Sequence, residues 1–382
     1  MKRIKNFICA VLSFFIILGF LNSLSAAGLN GWFFNKIISL NNTVKENALA
    51  IGDGDNDGKK EIFFSYNSGI YSYKMYDSSA PVKYISPANS QFVKIAVGDG
   101  DSDSLNELYF SRDNILYEYQ WDSSSWHQTQ TVTLPYPVTS IRIADGDNDG
   151  KNDIFVGTGW YYYGYIFQIK LVKNIYGNWI YSPVLISNIG EVINMEIADG
   201  NNDGKNEIYS NSASYYGMGT YLDFISEFKW NGSTWVKTTI YGYYNNLSRN
   251  FGGIAVGDAD NNGKNEVYFS STPGYLLQAS KINSSWSLKE IRKTFNDPLN
   301  NIIIGNADNN NKNELHGTYN YGKINVQFKF DSTWKENKLN SIDTTSVSTY
   351  SGHVFDKSIQ YSPIYSIKKD NTSPGIVQIF KY

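Results

Sequence analysis

One string recurs six times along this chain: AIGDGDNDGKKEIFFS (50–65), AVGDGDSDSLNELYFS (96–111), IADGDNDGKNDIFVGT (143–158), IADGNNDGKNEIYSNS (197–212), AVGDADNNGKNEVYFS (255–270) and IGNADNNNKNELHGTY (304–319). Its first acidic (or Asn) position falls at 53, 99, 145, 199, 258 and 306, in steps of 46, 46, 54, 59 and 48 residues. Self-similarity at that period restricts the chain to repeat architectures, because each unit buries its apolar face only against its neighbours. The third unit shows what a copy contains. SIRIA (140–144) enters the acidic string, DIFVG (153–157) leaves it, and YIFQIKLV (165–172) and WIYSPVLI (179–186) follow. These runs are short, rich in β-branched and aromatic residues, and separated by Gly, Asn or Ser turns. The composition agrees: 30 Tyr and 16% aromatic residues against 18% charged ones favour strands and polar turns over helices. Four antiparallel strands per unit predict an all-β chain of propeller blades; a β-solenoid, the alternative, uses shorter repeats.

A second marker bears on the number of blades. A Trp after a turn opens the fourth strand at Trp126, Trp179, Trp235, Trp286 and Trp334, and the first four stand 19, 20, 23 and 20 residues before the next acidic string. Trp32 lies 21 residues before Asp53, so LNGWFFNKIISL reads as a fourth strand with no first three before it. The far end supplies them: a seventh, acid-free turn is expected inside SGHVFDKSIQYSP (351–363), followed by strands at PIYSI (363–367) and GIVQIFKY (375–382). We therefore expect a seven-bladed β-propeller whose last blade joins residues 29–40 to residues 345–382, which removes an open sheet edge. Six complete blades with two frayed ends is the other reading.

In DGDNDGKND, carboxylates at the first, third, fifth and ninth positions can converge on one ion, and the carbonyl of the seventh can add an oxygen. The sixth position is Gly because the chain turns sharply there. Oxygen ligands without His or Cys select a hard cation, and a flexible loop of several carboxylates suits Ca2+ better than Mg2+. An EF-hand would carry its last acid at the twelfth position, where Val156 stands. The expected ligands are Asp53, Asp55, Asp57 and Glu61; Asp99, Asp101, Asp103 and Glu107; Asp145, Asp147, Asp149 and Asp153; Asp199, Asn201, Asp203 and Glu207; Asp258, Asp260, Asn262 and Glu266; Asn306, Asp308, Asn310 and Glu314. Because Asn brings no charge, affinity is expected to be highest in the first three loops and lowest in the sixth. Ser104 replaces the turn glycine in the second loop, which strains it.

The repeats resemble FG-GAP/VCBS repeats, the units of the integrin α-subunit propeller and of many exported bacterial proteins. The Asp-x-Asp-x-Asp-Gly-x-x-Asp pattern is matched closely at 53–61 and 145–153, and the resemblance spans about residues 29–382. It implies a seven-bladed propeller with calcium at the first-to-second strand turns. The Phe-Gly and Gly-Ala-Pro elements that name the family are poorly kept; AVGD and IADG stand in their place.

The N-terminus reads as a signal peptide over residues 1–27: Lys2, Arg3 and Lys5 precede an apolar Phe7–Phe20, and Ser25-Ala26-Ala27 offers a cleavage site. A single domain over 28–382 follows, secreted, periplasmic or on the cell surface, with no later apolar run of membrane-spanning length. The one cysteine, Cys9, lies in the leader, so the remaining chain has no disulfide. A net charge of −3 argues against a nucleic-acid partner, and a monomer is expected. The second-to-third strand turns lie on the face opposite the acidic loops, and three of them are long and aromatic: GTGWYYYGY (157–165), SASYYGMGTY (212–221) and IYGYYNNLSRNFGG (240–253). Trp160, Tyr161, Tyr162, Tyr215, Tyr216, Tyr243 and Tyr244 are the candidates there for an extracellular glycan or protein ligand. They could equally pack between blades. His127, His316 and His353 lack the partners of a triad or metal site, and no nucleophile-elbow or phosphate-loop motif occurs. An adhesion or carbohydrate-binding module is the leading expectation, with a structural surface protein and a polysaccharide-active enzyme as alternatives.

Overall fold

The fold is given by a computed structural model of the chain, which describes residues 24–27, 32–39, 48–75, 82–87, 93–173, 176, 178–217, 220–245, 252–271, 274–293, 299–319, 324–340, 349–354, 364–369 and 375–381. Every element among them is a strand. Six antiparallel sheets of four strands follow one another in chain order. Blade 1 comprises Leu49–Gly52, Glu61–Tyr66, Gly69–Lys74 and Lys83–Pro87; blade 2, Ile95–Gly98, Glu107–Arg112, Ile115–Trp121 and Trp126–Thr133; blade 3, Val138–Ala144, Asp153–Thr158, Tyr165–Lys173 and Trp179–Asn188. Blade 4 comprises Glu191–Ala198, Glu207–Gly217, Thr220–Trp230 and Trp235–Asn245; blade 5, Ile254–Gly257, Glu266–Ser271, Tyr275–Ile282 and Ser285–Lys293; blade 6, Asn300–Gly305, Glu314–Tyr319, Ile324–Asp331 and Thr333–Lys338. Within each blade the strands pair in sequence order, and the first strands of blades 1 to 6 lie beside one another in turn.

The residue pattern explains the layering. Second strands such as EIFFSY carry apolar residues on both faces and are buried up to their last residue, whereas fourth strands such as WHQTQTVT are polar and mostly exposed. The core therefore lies between blades rather than within one. Phe63 and Ile70 of blade 1 pack with Leu108 and Phe110 of blade 2. Phe155 of blade 3 packs with Ile208 and Phe228 of blade 4, and Tyr268 of blade 5 with Leu315 and Phe328 of blade 6. The fourth-strand Trp closes most of these joints by meeting, edge to face, the second-strand ring of the preceding blade: Trp126 on Phe63, Trp235 on Phe155, Trp286 on Tyr209 and Trp334 on Tyr268, at 5.8–6.0 Å.

Two expectations are corrected. Four-stranded blades number six, not seven. The remaining strands form a sheet of different make-up, with five strands in the order Leu24–Ala27, Trp32–Ser39, Gly375–Lys381, Ile364–Lys369, Thr349–Val354. Trp32–Ser39 pairs antiparallel with Gly375–Lys381, and Leu24–Ala27 adds outside it because an unpaired edge remains there. The fourth-strand marker also fails once. Trp179 is 55% exposed, and Tyr181, two residues on, turns inward to Tyr109 with the two hydroxyls 3.1 Å apart. Residues 1–23 of the expected leader and 355–363 of the expected seventh turn lie outside the described residues.

Candidate metal centres and ligand face

Each acidic string is the turn between first and second strands, and its own backbone spends part of the acid. In loop 1 the Asp57 and Gly58 amides donate to the two oxygens of Asp53 (3.0 and 2.9 Å), and the Lys59 amide donates to Asp57 (2.9 Å). Asp99, Asp145, Asp199 and Asp258 accept the equivalent pair of bonds. The path is left-handed at two positions. The sixth has φ of +82° at Gly58 and +89° at Gly150, but also +78° at Ser104 and +63° at Asn311. The fourth is left-handed in every loop, from +57° at Asn56 to +62° at Ser102 and Asn202.

That fourth residue, which the sequence reading passed over, has a further task. Asn56 reads the next blade in both directions: its Oδ1 accepts from the Asn106 amide (2.8 Å) and its Nδ2 donates to the Asn106 carbonyl (3.0 Å), while Asn106 Nδ2 donates back to the Asp53 carbonyl (2.8 Å). The same latch joins Asn148 to Asn206, Asn202 to Asn265 and Asn261 to Asn313. From blade 2 to blade 3 it shrinks to one bond, Ser102 Oγ to the Asn152 carbonyl (3.2 Å). The recurrence of Asn at the fourth and eighth positions was the available signal.

Carboxylates do converge in four loops. Ligand oxygens of Asp53, Asp55 and Asp57, of Asp99, Asp101 and Glu107, of Asp145, Asp147 and Asp149, and of Asp258, Asp260 and Glu266 lie within 4.8 Å of one another. Asn201 in the fourth loop, and Asn306 and Asn310 in the sixth, stand where acids would complete such a group. The ninth residue is sunk at the base: Glu61, Glu107, Glu207, Glu266 and Glu314 are all buried. Burial first, then neighbouring carboxylates, pushes Glu61 up to about 7, Glu107 to about 8 and Asp101 to about 6. Burial likewise raises Glu207 and Glu266 to about 7 and Asp153 in the same direction.

The sequence reading also missed lysines of the third strand. Glu61 faces Lys74 across the sheet, and Lys74 Nζ reaches Asp57, Asp55 (3.0 Å) and Glu61 (3.9 Å). Lys170 reaches Asp147 (2.8 Å) and Asp153 (3.6 Å), Lys229 reaches Asp203 and Glu207 (3.7 Å), and Lys329 reaches Asp308. The Lys74 hydrogen bond holds Asp57 below the ordinary carboxylate range; against burial, Lys170 and Lys329 do the same for Asp147 and Asp308. In loop 5 the donors are neutral: Gln278 Nε2 to Asp260 (2.7 Å), Asn262 Nδ2 to Glu266 Oε1 (2.9 Å) and Tyr268 OH to Glu266 Oε2 (2.8 Å).

On the opposite side, Trp160 and Tyr163 exchange two backbone hydrogen bonds (2.8 and 3.0 Å) around a two-residue turn. Its central residues Tyr161 and Tyr162 have φ of +47° and +74°, the pattern of a type I′ turn that Asn-Gly adopts without strain. Two aromatic residues there store backbone strain; Tyr162 is half-buried, while Trp160, Tyr161 and Tyr163 are 42%, 62% and 66% exposed. Tyr215, from the tall second strand of blade 4, comes within 6.1 Å of Tyr162, ring to ring. Tyr163, absent from the sequence candidates, belongs with this cluster. Tyr243 does not: it stacks on Tyr241, which packs on Phe269 of blade 5. The side chains of Tyr216 and Tyr244 lie outside the described residues. His127 is exposed on the fourth strand of blade 2 with Nε2 2.6 Å from Asp122, and His316 is buried with Nε2 3.7 Å from Glu314. Among the described residues no helix is long and apolar enough to cross a membrane.

No protein-family model matches the chain, and no curated protein matches it. Solved structures do. The chain is similar to BBS1N, crystallised in complex with ARL6DN, with a TM-score of 0.55 at 10% identity over 91% of this chain and 95% of that one. It is similar to YCF48 from Cyanidioschyzon merolae (TM-score 0.50, 12% identity, 92% and 98% covered) and to Sqt1 from Chaetomium thermophilum (TM-score 0.50, 10% identity, 91% and 97% covered). All three are β-propellers, and at these identities the likeness concerns the fold: this chain is an all-β repeat protein built as a β-propeller.

Proposed function

We propose that this chain is an exported, calcium-stabilised propeller of the FG-GAP/VCBS kind that works as an extracellular binding module, with the aromatic turn of blade 3 and the tall hairpin of blade 4 as its ligand seat. The observation that carries the reading is the Tyr161-Tyr162 turn. Left-handed backbone at two successive tyrosines, beside exposed Trp160 and Tyr163, costs stability without filling a core, and such strain concentrates at ligand sites. Flat, exposed rings interleaved with Gly suit sugar faces.

In this reading the five-stranded sheet closes the ring between blade 6 and blade 1. Its support is threefold. Thr349–Val354 lies beside Asn300–Gly305 on one side and Leu49–Gly52 on the other. Ile38 packs with Leu49, Ile62 and Phe64 of blade 1, and Ile364, Val377 and Ile379 pack with Ala307 in the acidic turn of blade 6 and with Leu339 just after its last strand. Calcium is supported by the oxygen-only donor clusters, and export by the apolar stretch after Lys2, Arg3 and Lys5.

Binding to a glycan array tests the ligand class: signal lost in Tyr161→Ala and Trp160→Ala is expected, and no glycan bound above background would reject the carbohydrate reading. The similar propeller BBS1N was crystallised in complex with ARL6DN, which favours a protein partner as the second reading. Cross-linking to a protein at Tyr161, with no glycan bound, would select it.

A further inference from the structure

The six acidic turns differ in what neutralises them, and the difference is set by one position. Continuing the register of the second and third strands, the residue facing the ninth acid is Lys74 in blade 1, Gln120 in blade 2, Lys170 in blade 3, Lys229 in blade 4, Ser280 in blade 5 and Lys329 in blade 6. Each lysine places its ammonium against its own acidic turn. An ammonium and a divalent cation among the same oxygens exclude one another by charge and by volume. Blade 5 lacks the lysine, but amide and phenol donors satisfy both Glu266 oxygens.

Loop 2 has neither remedy. Asp99, Asp101, Asp103 and Glu107 make no ion pair with a described Lys or Arg, and the third strand adds another acid, Glu118, where Gln168, Gln278 and Gln327 stand in blades 3, 5 and 6. Glu107 is 1% exposed. Its Oε2 accepts from the Gly100 amide (3.3 Å) and Tyr109 OH (3.0 Å), and its Oε1 has no hydrogen-bond partner though it belongs to the cluster with Asp99 and Asp101. Glu61 and Glu207 have the same unpartnered Oε1, but Lys74 and Lys229 stand 3.9 and 3.7 Å from it, whereas no described Lys or Arg pairs with Glu107; a buried carboxylate oxygen so placed among like charges calls for a cation.

We propose that Lys74, Lys170, Lys229 and Lys329 have taken over the divalent cation's role in their turns, and that loop 2 is the one turn of the six that still requires a hard divalent cation, held by Asp99, Asp101, Asp103 and Glu107. This rests on the reading that such turns bind calcium, and it replaces the order expected from acid count, in which loops 1, 2 and 3 together stood above the rest. The joint that loop 2 serves is also the one whose latch is a single bond and whose fourth-strand Trp is turned outward, with Tyr181 in its place.

Equilibrium dialysis of the full chain against calcium counts the ions. One ion per wild-type chain, none in Glu107→Gln and two in Lys74→Met is the expected result. The lysine variant gains a site, so it stays informative if Glu107→Gln folds poorly. Three or more ions in the wild type, or no ion gained by Lys74→Met, would overturn the lysine substitution and leave calcium binding standing. One ion that persists in a folded Glu107→Gln would overturn the assignment to loop 2. No ion in either the wild type or Lys74→Met would sink the calcium reading itself.

Discussion

Asn at the fourth turn position does two jobs that few residues combine. It tolerates left-handed backbone, and its amide pairs with both the N–H and the C=O of the next turn. Asn148→Ala removes both bonds and leaves a Cβ residue at φ +59°. At about 1 kcal/mol per bond and a similar backbone cost, we expect a loss of roughly 2–3 kcal/mol in urea unfolding. Ser102→Asn should do the reverse at the blade 2–3 joint, gaining about 1 kcal/mol. A paired effect of this kind would separate the latch from any general cost of altering the turn. At the opposite face, changing Tyr161 to Asn and Tyr162 to Gly gives the turn the residues it favours. The melting temperature should rise while ligand capture is lost; a drop in melting temperature would mean that those rings hold the fold together.

At the scale of the element, the blades are joined by an aromatic pair and an acidic turn. Trp126→Ala should cost toward the lower end of the ~3–5 kcal/mol typical of large aromatic truncations, since the ring is half-buried against Phe63. Trp179→Ala, outwardly the same change, should cost under about 1 kcal/mol because Tyr181 holds the inner place. The turns add a dependence on pH. Glu61, Glu107, Glu207 and Glu266 titrate at about 7 to 8 in the fold against an ordinary 4.5, and Asp101 at about 6 against 3.8, so the fold favours their neutral forms. Their contribution is complete below about 4.5 and is lost as pH rises toward about 8. Asp57, Asp147 and Asp308 are lowered, and their contribution is lost only in acid. In chelator the melting temperature should therefore fall between pH 5 and 8, and calcium should reduce that slope. A flat profile in chelator would contradict the burial of these acids.

For the whole molecule, the junction of the two chain ends is the part that no single blade supplies. Trp32–Ser39 covers the edge of Gly375–Lys381, and Ile38 carries the apolar contact to blade 1. Deleting residues 28–39 would expose a strand edge and open that contact. We expect earlier proteolysis near both ends and concentration-dependent aggregation, read by limited trypsin digestion and light scattering. Unchanged behaviour would mean that the blades stand without the junction.

The repeat period and the alternation of apolar runs with Asn/Gly turns were enough to give four strands per unit and to place those of the third, because hydrophobic pattern and turn chemistry are local properties. The acids and turn glycines were legible for the same reason. The lysines were not. Lys74, Lys170, Lys229 and Lys329 follow their ninth-position acids by 13, 17, 22 and 15 residues, since the hairpin between second and third strands varies in length. No fixed spacing reveals them; only the cross-strand register, which the folded sheet sets, brings ammonium to carboxylate. The latch partners, about 50–63 residues apart, and the inward turn of Tyr181 in place of Trp179 are of the same kind. Local chemistry wrote the blades, and the packing of one blade on the next decided which turns carry their own counter-charge.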